Sequence, residues 1–235
     1  MNGAGTMPIF SLSKDIAFPP PELAEPDGLL ALGGDLSPKR LLLAYRMGIF
    51  PWYAKDTPIL WWSPDPRLVL FLPELHVSHS LRRVLRKGVF LVTFDRAFRQ
   101  VIEACARVRI EQGEDTWLVP EMIDAYCRLH QLGHAHSVET WREGRLVGGL
   151  YGVAIGRVFF GESMFSTVSD ASKVALVHLA RRMARCGYEL IDCQVTTNHL
   201  KRFGAREIPR SRFLRLLDRL TSQPALPFWK DQRSA

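Results

Sequence analysis

The second half of the chain alternates between short apolar segments and longer stretches with helical periodicity. Three apolar segments follow one another closely, and the dipeptides Glu143-Gly144 and Ile155-Gly156 between them suit tight hairpin turns. A helical pattern then begins after Asp170 and ends before Gly187. The predicted order is three antiparallel strands (136–141, 145–155 and 157–165), a helix (171–185), a strand (189–195) and a closing helix (211–220).

This order of elements predicts the fold class. Three antiparallel strands, a helix, a strand and a helix form the core of the acetyltransferase-like (GNAT-like) α+β fold, a mostly antiparallel sheet flanked by helices. Upstream, Asp95 is expected to cap a helix to about residue 107, and Pro120 to open another that ends at Gly133. Asp170 is expected to cap the helix at 171–185 in the same way.

The first 66 residues differ from the rest in composition. They hold most of the 15 prolines, interleaved with glycines and aromatic residues, and show little strand alternation. Ser37-Pro38 predicts the start of a helix that stops at Gly48. We therefore predict two domains, a small N-terminal one at 1–66 and a catalytic one at 67–235. The small domain is expected to pack against the larger one, because it cannot bury enough surface alone.

Bulk composition excludes several classes of protein. The chain has 235 residues, 47% of them hydrophobic, which is ordinary for a globular protein. Its 4 cysteines form no Cys-x-x-Cys pair, and no histidine cluster has ligand spacing, so neither a zinc site nor a disulfide framework is expected. Residues 1–10 lack the basic flank and apolar core of a signal peptide, and no apolar run approaches the roughly 20 residues that span a bilayer. A cytoplasmic location is expected.

The net charge of +7 is unevenly distributed. A short predicted helix carries Arg82, Arg83, Arg86 and Lys87, whose i,i+4 like-charge pairs cost roughly 0.2–0.5 kcal/mol each in isolation. Two further clusters lie at 181–185 and 201–219. Any one cluster can equally be a solvated surface, but three together favour a phosphate-bearing partner, without separating RNA from DNA.

Two short segments carry the candidate chemistry. In Gly161–Ser166, Glu162 and Met164 are two residues apart on a predicted strand, so they are expected to share a face. Asp192 and Gln194 are expected to share a face of a later strand. Two carboxylates on otherwise apolar strands are hard to explain by packing, because unpaired buried carboxylates are costly. We predict that these faces meet in an active-site cleft.

The turn before the helix at 171–185 argues against the cofactor usual for this fold. Acetyltransferase-like enzymes bind the pyrophosphate of CoA at a glycine-rich turn in this place. Here residues 166–173 contain no glycine and place Asp170 where an anion would sit. The activated acyl group is therefore expected on another carrier, and the basic clusters suggest a nucleic acid.

Six segments together resemble the leucyl/phenylalanyl-tRNA–protein transferase family. They lie in the expected order at 27–38, 48–53, 60–67, 129–137, 161–166 and 190–194. The resemblance implies an enzyme that moves Leu or Phe from aminoacyl-tRNA to the α-amino group of proteins beginning with Arg or Lys, which marks them for N-end-rule degradation. Transfer of Met as a third donor stays open. No cofactor or metal is implied, because the ester on tRNA is already activated. The alternatives are a CoA-dependent N-acyltransferase and a non-catalytic tRNA-binding module, and a monomer is expected.

The resemblance also implies roles for individual residues. Gln194 contacts the attacking amine, and Asp192 polarises it or accepts its proton, unless Asp192 is an ordinary strand-end carboxylate. Glu162 is our candidate for binding the acceptor's cationic side chain, unless it pairs with an internal arginine. The other expected substrate-binding residues are the donor-pocket residues Leu150, Met164, Phe165 and Leu179, the adenosine-binding Trp52, Trp117 and Tyr126, the motif residues Ser163 and Ser166, and Thr197, which departs from the family pattern. Arg82, Arg83, Arg86 and Lys87 are expected to bind the tRNA acceptor stem.

Overall fold

The computed structural model describes residues 9–224 except 112, 114 and 115. Residues 1–8, where no signal peptide is expected, and residues 225–235 lie outside the described part, so both predicted domains extend beyond it. The predicted division at residue 66 stays a prediction. Within the described residues, no helix is long and apolar enough to cross a membrane.

The N-terminal part folds around a small four-stranded sheet that the sequence did not predict. Its strands are β1 (Phe10–Leu12), β2 (Leu29–Gly33), β3 (Phe50–Pro51) and β4 (Leu60–Trp62), in the order β1-β2-β4-β3. Strands of two to five residues are too short to show alternation, which explains why sequence patterns do not reveal them. The predicted helix forms as α1 (Pro38–Arg46), with the Ser37 hydroxyl accepting a hydrogen bond from the Arg40 amide.

A seven-stranded sheet forms the centre of the rest. Its strands are β5 (Arg67–Phe71), β6 (Leu91–Phe94), β7 (Ala135–Arg142), β8 (Arg145–Ile155), β9 (Val158–Ser166), β10 (Leu190–Gln194) and β11 (Arg206–Ile208). They lie in the order β11-β5-β10-β9-β8-β7-β6, and only β9 and β10 pair in parallel. The predicted order of strands and helices is confirmed, and the fold class is α+β with a separate N-terminal domain.

Helices cover both faces of this sheet. They are α2 (His79–Lys87), α3 (Phe98–Glu111), α4 (Pro120–Gln131), α5 (Ala171–Arg185), α6 (Asn198–Lys201) and α7 (Arg210–Thr221). Two predicted side-chain caps are wrong, although Asp170 does occupy the N-cap position of α5. Asp95 precedes α3 by three residues and instead accepts hydrogen bonds from the Ser137 amide and His136. Asp170 makes no side-chain cap on α5, because it adopts a left-handed conformation and binds Lys173 Nζ at 2.6 Å.

Two buried cores lie on opposite faces of the large sheet. The first contains residues of the N-terminal part, such as Leu41 and Trp61, together with residues of α3, α4 and α7. The second lies under α2 and α5. Because Leu41 and Trp61 share one core with Val101 and Phe213, the N-terminal part is buried against the rest of the chain, as the sequence predicts.

Gly148 in β8 sets how closely α5 approaches the sheet. A Cβ atom at this position would lie 2.5 Å from Ala171 Cβ and 2.7 Å from Thr140 Oγ1.

We expect Gly148→Ala to lower the free energy of unfolding by about 1–3 kcal/mol, the usual cost of overpacking. Urea denaturation measures it. Gly161→Ala is the control, since its Cβ would meet only ordinary contacts, the nearest at 3.4 Å. An unchanged midpoint for Gly148→Ala contradicts the prediction.

Candidate active site

A cleft opens where β9 and β10 stop pairing. Their parallel register runs only from Leu190 opposite Val158 to Asp192 opposite Phe160, although both strands continue. Beyond that point the two strands line a cavity of about 350 Å³, a volume within the usual range for small-molecule sites. Glu162, Asp192 and Gln194 all line this cavity, as the sequence predicts.

Glu162 lies at a β-bulge in β9. The β8–β9 register shifts between Tyr151–Ser163 and Gly152–Gly161, which leaves Glu162 without an opposite residue. The bulge turns Glu162 toward Tyr45 and Tyr126 of the first core, whereas Met164 packs against the second. The prediction that Glu162 and Met164 share a face is therefore wrong, because the bulge breaks the two-residue alternation.

The Glu162 carboxylate accepts three hydrogen bonds. Tyr45 donates to Oε1 at 2.8 Å, Tyr126 donates to Oε2 at 2.8 Å, and Gln194 Nε2 donates to Oε1 at 2.7 Å. None of these donors is a cation, so the alternative that Glu162 pairs with an internal arginine is wrong. Burial raises the pKa of Glu162 to about 7, although the three hydrogen bonds act in the opposite direction.

The two tyrosine hydroxyls also contact each other, which closes a ring of three polar groups. This ring has three contacts, but Tyr45 and Tyr126 supply only two protons. If Glu162 is protonated it can donate to one tyrosine hydroxyl, and each of the three contacts then has its own proton. The proton count and the effect of burial on the pKa thus agree that Glu162 holds a proton readily near neutral pH.

Asp192 is neutralised by a buried arginine. Arg67 Nε donates to Oδ1 at 2.8 Å and Arg67 Nη2 to Oδ2 at 2.6 Å. The Arg67 guanidinium also contacts the rings of Phe50 and Phe213, 4.8 and 4.7 Å from their centres. This bidentate pair explains how a carboxylate can be fully buried here.

Gln194 ends β10 in a left-handed conformation. Its φ is 60°, a value that is uncommon outside glycine. Its backbone amide donates to Asp192 Oδ1 at 2.9 Å, and its side-chain amide reaches Glu162. The register of β10 against β5 shifts between Asp192 and Gln194, but both side chains line the cleft, and Gln194 connects the two carboxylates.

The apolar wall of the cleft comes from the second core. It includes the predicted Leu150, Met164 and Leu179 and three residues that the sequence analysis did not select, Phe159, Leu176 and Ile191. Phe165 does not line the cleft, because alternation places it in the first core at 3% exposure. Ser166 does not line it either, and its hydroxyl binds the Val168 carbonyl and the Ser172 amide at the start of α5.

Aromatic residues form the mouth of the cleft. Trp52 is 42% exposed and contacts Trp117 and Trp62, with ring centres 6.0 and 5.9 Å apart. The Arg109 guanidinium lies 4.1 Å from the centre of the Trp117 ring. Tyr126 is different, because it is completely buried behind Glu162 and does not line the cleft. In this structure Tyr126 is therefore not accessible to a nucleotide base, contrary to the prediction.

Two further predicted substrate-binding residues, Ser163 and Thr197, both line the cleft. The Thr197 hydroxyl accepts a hydrogen bond from the Leu200 amide, so Thr197 also caps α6.

Sequence analysis missed Tyr45 and Arg67. Tyr45 follows Leu41 and Ala44 on the inner face of α1, the spacing of an ordinary core residue. Arg67 begins an otherwise apolar strand, Arg-Leu-Val-Leu-Phe, and a charged residue at such a place needs a buried partner. That signal was available, but the partner, Asp192, is 125 residues away in the chain.

A histidine cluster forms that sequence spacing did not indicate. Ligand atoms of Asp95, His130 and His136 lie within 4.8 Å of one another, a grouping that could hold a metal ion. However, His136 Nδ1 lies 2.7 Å from Asp95 Oδ2, and His130 Nδ1 lies 2.8 Å from the Ala135 carbonyl. Because the Nδ1 atoms already make hydrogen bonds, the cluster is explained as a polar network that ties α4 to β7.

The three basic clusters are not equivalent. In the third cluster Lys201, Arg206 and Arg219 form ion pairs with Glu207, Glu74 and Glu189. By contrast, Arg82, Arg83, Arg86 and Lys87 are exposed on α2, and none forms an ion pair with a described carboxylate. The helix packs against α5, where Arg181 and Arg185 are likewise exposed and form no ion pair with a described carboxylate. The surface of α2 and the end of α5 is thus available to a polyanion.

Comparison with known proteins agrees with these features. A family model described as leucyl/phenylalanyl-tRNA protein transferase matches residues 69–218, and the model of its N-terminal domain matches residues 34–65. The leucyl/phenylalanyl-tRNA–protein transferase of Syntrophobacter fumaroxidans is 69% identical over 211 residues, 90% of each chain. That of an Anaeromyxobacter species is 62% identical over 221 residues, 94% of each chain. A solved structure of L-PGS from Bacillus licheniformis is only distantly similar. It is 11% identical with a TM-score of 0.41, and the match covers 72% of this chain and 54% of that one.

The raised pKa of Glu162 makes a prediction about stability. Between the ordinary carboxyl pKa of 4.5 and about 7, the folded state binds a proton that the unfolded state has lost. Stability contributed by Glu162 is therefore present at acidic pH and falls as the pH rises through this window. One pKa unit corresponds to about 1.4 kcal/mol, so a shift from 4.5 to about 7 corresponds to a loss on the order of 3–4 kcal/mol.

Urea denaturation of the wild type and of Glu162→Gln on both sides of this window measures the effect. We expect the wild type to lose stability relative to the variant as the pH rises. A difference between the two proteins that does not change with pH contradicts the prediction.

Proposed function

The chain belongs to the leucyl/phenylalanyl-tRNA–protein transferase family, and we propose that its cleft joins Leu or Phe to the α-amino group of proteins beginning with Arg or Lys. The protein is an aminoacyltransferase that acts between aminoacyl-tRNA and protein, and the resemblance drawn from its motifs is confirmed. The observation that carries the proposal is the convergence of Glu162, Asp192 and Gln194 at an apolar cleft. The choice of Arg or Lys as acceptor is supported by the family alone.

The reaction needs positioning and one proton transfer. The α-amine nitrogen attacks the ester carbonyl carbon, the bond to the ribose oxygen of the tRNA breaks, and a proton moves from the amine to that oxygen. An α-amine has an unperturbed pKa of about 7.7–8.0, so a useful fraction is already neutral near pH 7.4. The main tasks of the enzyme are to align amine with ester and to stabilise charge as it forms.

Glu162 and Gln194 are the groups we assign to the amine. The Gln194 side chain is held by its hydrogen bond to Glu162, which leaves its carbonyl oxygen to accept a proton of the amine. Glu162 has a pKa of about 7, which suits a group that takes and returns a proton near neutral pH. Binding of a long cationic side chain by Glu162 is less well supported, because three donors already occupy its carboxylate.

Asp192 is assigned a supporting role. Both of its oxygens accept from Arg67, and Oδ1 also accepts from the Gln194 amide. Unlike Glu162, whose donors are all neutral, Asp192 is held at both oxygens by a cation, so we assign it alignment and not proton transfer. We propose that Asp192 sets the conformation of Gln194, and that Glu162 exchanges the proton.

The donor's Leu or Phe side chain is assigned to the apolar wall formed by Leu150, Met164 and Leu179. Such a wall discriminates between apolar side chains by shape, and a methylene difference is worth about 1–3 kcal/mol. Trp52 and Trp117 are assigned to the terminal adenosine, because both line the mouth and Trp52 presents an exposed ring. Stacking on such a base contributes roughly 1–3 kcal/mol.

Three broader features belong to the same proposal. We infer that residues 67–224 have the acetyltransferase-like fold, which is supported by the order β7-β8-β9-α5-β10 and by the separation of β9 from β10. The absence of glycine from the turn before α5 supports the view that CoA is not the donor. We also propose that the protein is cytoplasmic and acts as a monomer.

A transfer assay tests the proposed reaction. Radiolabelled Leu carried on tRNA is offered to a peptide beginning with Arg and to the same peptide beginning with Ala. We expect label on the Arg peptide only, and a loss of about 10²-fold in kcat for Glu162→Gln, the lower range for removal of a general acid–base group. Glu103→Gln, an exposed carboxylate on α3, is the control. Equal labelling of both peptides refutes the acceptor preference, and unchanged kcat in Glu162→Gln refutes the role of Glu162.

The basic surface of α2 predicts salt-dependent tRNA binding. Replacing Arg83 and Arg86 by Ala should weaken binding of leucyl- and phenylalanyl-tRNA alike, because phosphate contacts carry no sequence information. Each lost contact should reduce the slope of log K against log salt by about 1. The matched control replaces Arg212 and Arg215, exposed arginines of α7 on the opposite face of the sheet. Filter binding across a salt series measures the slopes, and equal slopes for the two variants refute this surface as the tRNA site.

A further inference from the structure

We propose that Arg67 is a positioning residue for aminoacyl transfer, which acts through Asp192 to hold Gln194 in its working conformation. This inference rests on the proposed function, because it concerns the residue assigned to the amine. Arg67 does not itself line the cleft, so it is not expected to touch either substrate.

The guanidinium of Arg67 is fixed by three separate parts of the fold. It contacts the rings of Phe50, from the N-terminal part, and of Phe213, from α7. Its Nη1 donates to the Gly48 carbonyl at 3.2 Å. With the bidentate contact to Asp192, each of the three guanidinium nitrogens donates a hydrogen bond, and Arg67 is only 1% exposed.

This fixed group determines where Asp192 lies, and Asp192 in turn holds the backbone of Gln194. Oδ1 of Asp192 accepts from both Arg67 Nε and the Gln194 amide, at 2.8 and 2.9 Å. A left-handed conformation costs a residue other than glycine about 1–2 kcal/mol, so Gln194 needs such a contact to remain in it. In that conformation its side chain reaches Glu162 at 2.7 Å.

An arginine is required for this arrangement. Its planar fork matches both carboxylate oxygens, and its flat faces pack against aromatic rings. Lysine keeps the charge but has a single, freely rotating ammonium group, so it can bind Asp192 without setting its orientation. Arg67→Lys therefore separates charge compensation from orientation.

The competing explanation is that Arg67 only fastens the N-terminal part to the sheet. Arg40 provides the matched control. Like Arg67 it is a buried arginine, but it lies on α1 in the N-terminal part. It binds Asp35 at 3.3 Å and the Ser13 carbonyl at 3.0 Å, with its guanidinium 6.0 Å from the centre of the Phe18 ring. None of these partners lines the cleft.

The experiment compares Arg67→Lys, Arg40→Lys and the wild type, each assayed well below its own Tm. For Arg67→Lys we expect a fall in kcat of about 10²-fold, the effect of a misplacement of about 1 Å in an active site, with unchanged KM for both substrates. For Arg40→Lys we expect a lowered Tm with unchanged kcat. Loss of kcat in proportion to Tm in both variants overturns the proposal.

A double-mutant cycle shows whether the effect passes through Asp192. If it does, Arg67→Lys combined with Asp192→Asn should have the same kcat as Asp192→Asn alone, because the shared path is already broken. Independent action instead predicts that the two losses multiply, which would overturn the proposal.

The amide resonances of Gln194 give a readout that does not depend on catalysis. In ¹⁵N spectra, its backbone and side-chain amides should shift in Arg67→Lys and stay unchanged in Arg40→Lys. If the wild type fails to transfer Leu but the resonances shift, the proposed function has failed and the structural coupling has not. If the resonances do not move, the role of Arg67 is refuted even in an active enzyme.

Discussion

The buried ion pair of Arg67 and Asp192 is the contact on which the rest of the site depends. Burial removes the hydration of both groups, which costs several kcal/mol per ion unless well-placed hydrogen bonds and contacts offset it. Here a bidentate contact, two aromatic rings and the Gly48 carbonyl supply them. The pair joins the adjacent strands β5 and β10, and its other contacts come from α7, from Phe50 in β3 and from Gly48 just before it, so the complete arrangement needs all of these segments in place. The N-terminal part thus contacts the polar groups of the site both through Arg67 and through the hydrogen bond from Tyr45 to Glu162.

The cleft itself follows from how two neighbouring strands end their pairing. β9 and β10 share only three paired positions, after which a bulge at Glu162 and a left-handed residue at Gln194 turn the two chains. Each irregularity aims one polar side chain toward the other, and the gap between the strands becomes the cavity. One wall then belongs to the apolar second core and the other to the polar groups backed by Tyr45 and Tyr126. Regular pairing to the end of both strands would have left no site.

Local patterns predicted the regular elements well and the irregular ones poorly. The bounds of β8 and α5 agree with those predicted, because long alternation and 3.6-residue periodicity are strong signals. The bulge that separates Glu162 from Met164 changes no residue type, so alternation alone could not reveal it. Asp95 has the composition of a helix cap, but tertiary partners at Ser137 and His136 compete for its carboxylate. The partners of Glu162 and Asp192 were missed because they lie far away in sequence, at Tyr45 and Arg67.

The two carboxylates of the site illustrate how surroundings decide chemistry. Asp192 faces a cation that matches both its oxygens, so its charge is balanced and its position fixed. Glu162 faces only neutral donors, and burial raises its pKa to about 7. The ring formed with Tyr45 and Tyr126 has three contacts and needs a third proton to satisfy them all. A group that gains a hydrogen bond by holding a proton, and that loses the proton near neutral pH, is suited to exchange one with an amine. The pairing of one fixed and one exchangeable carboxylate through Gln194 therefore supports the proposal that Asp192 aligns the substrate and Glu162 transfers the proton.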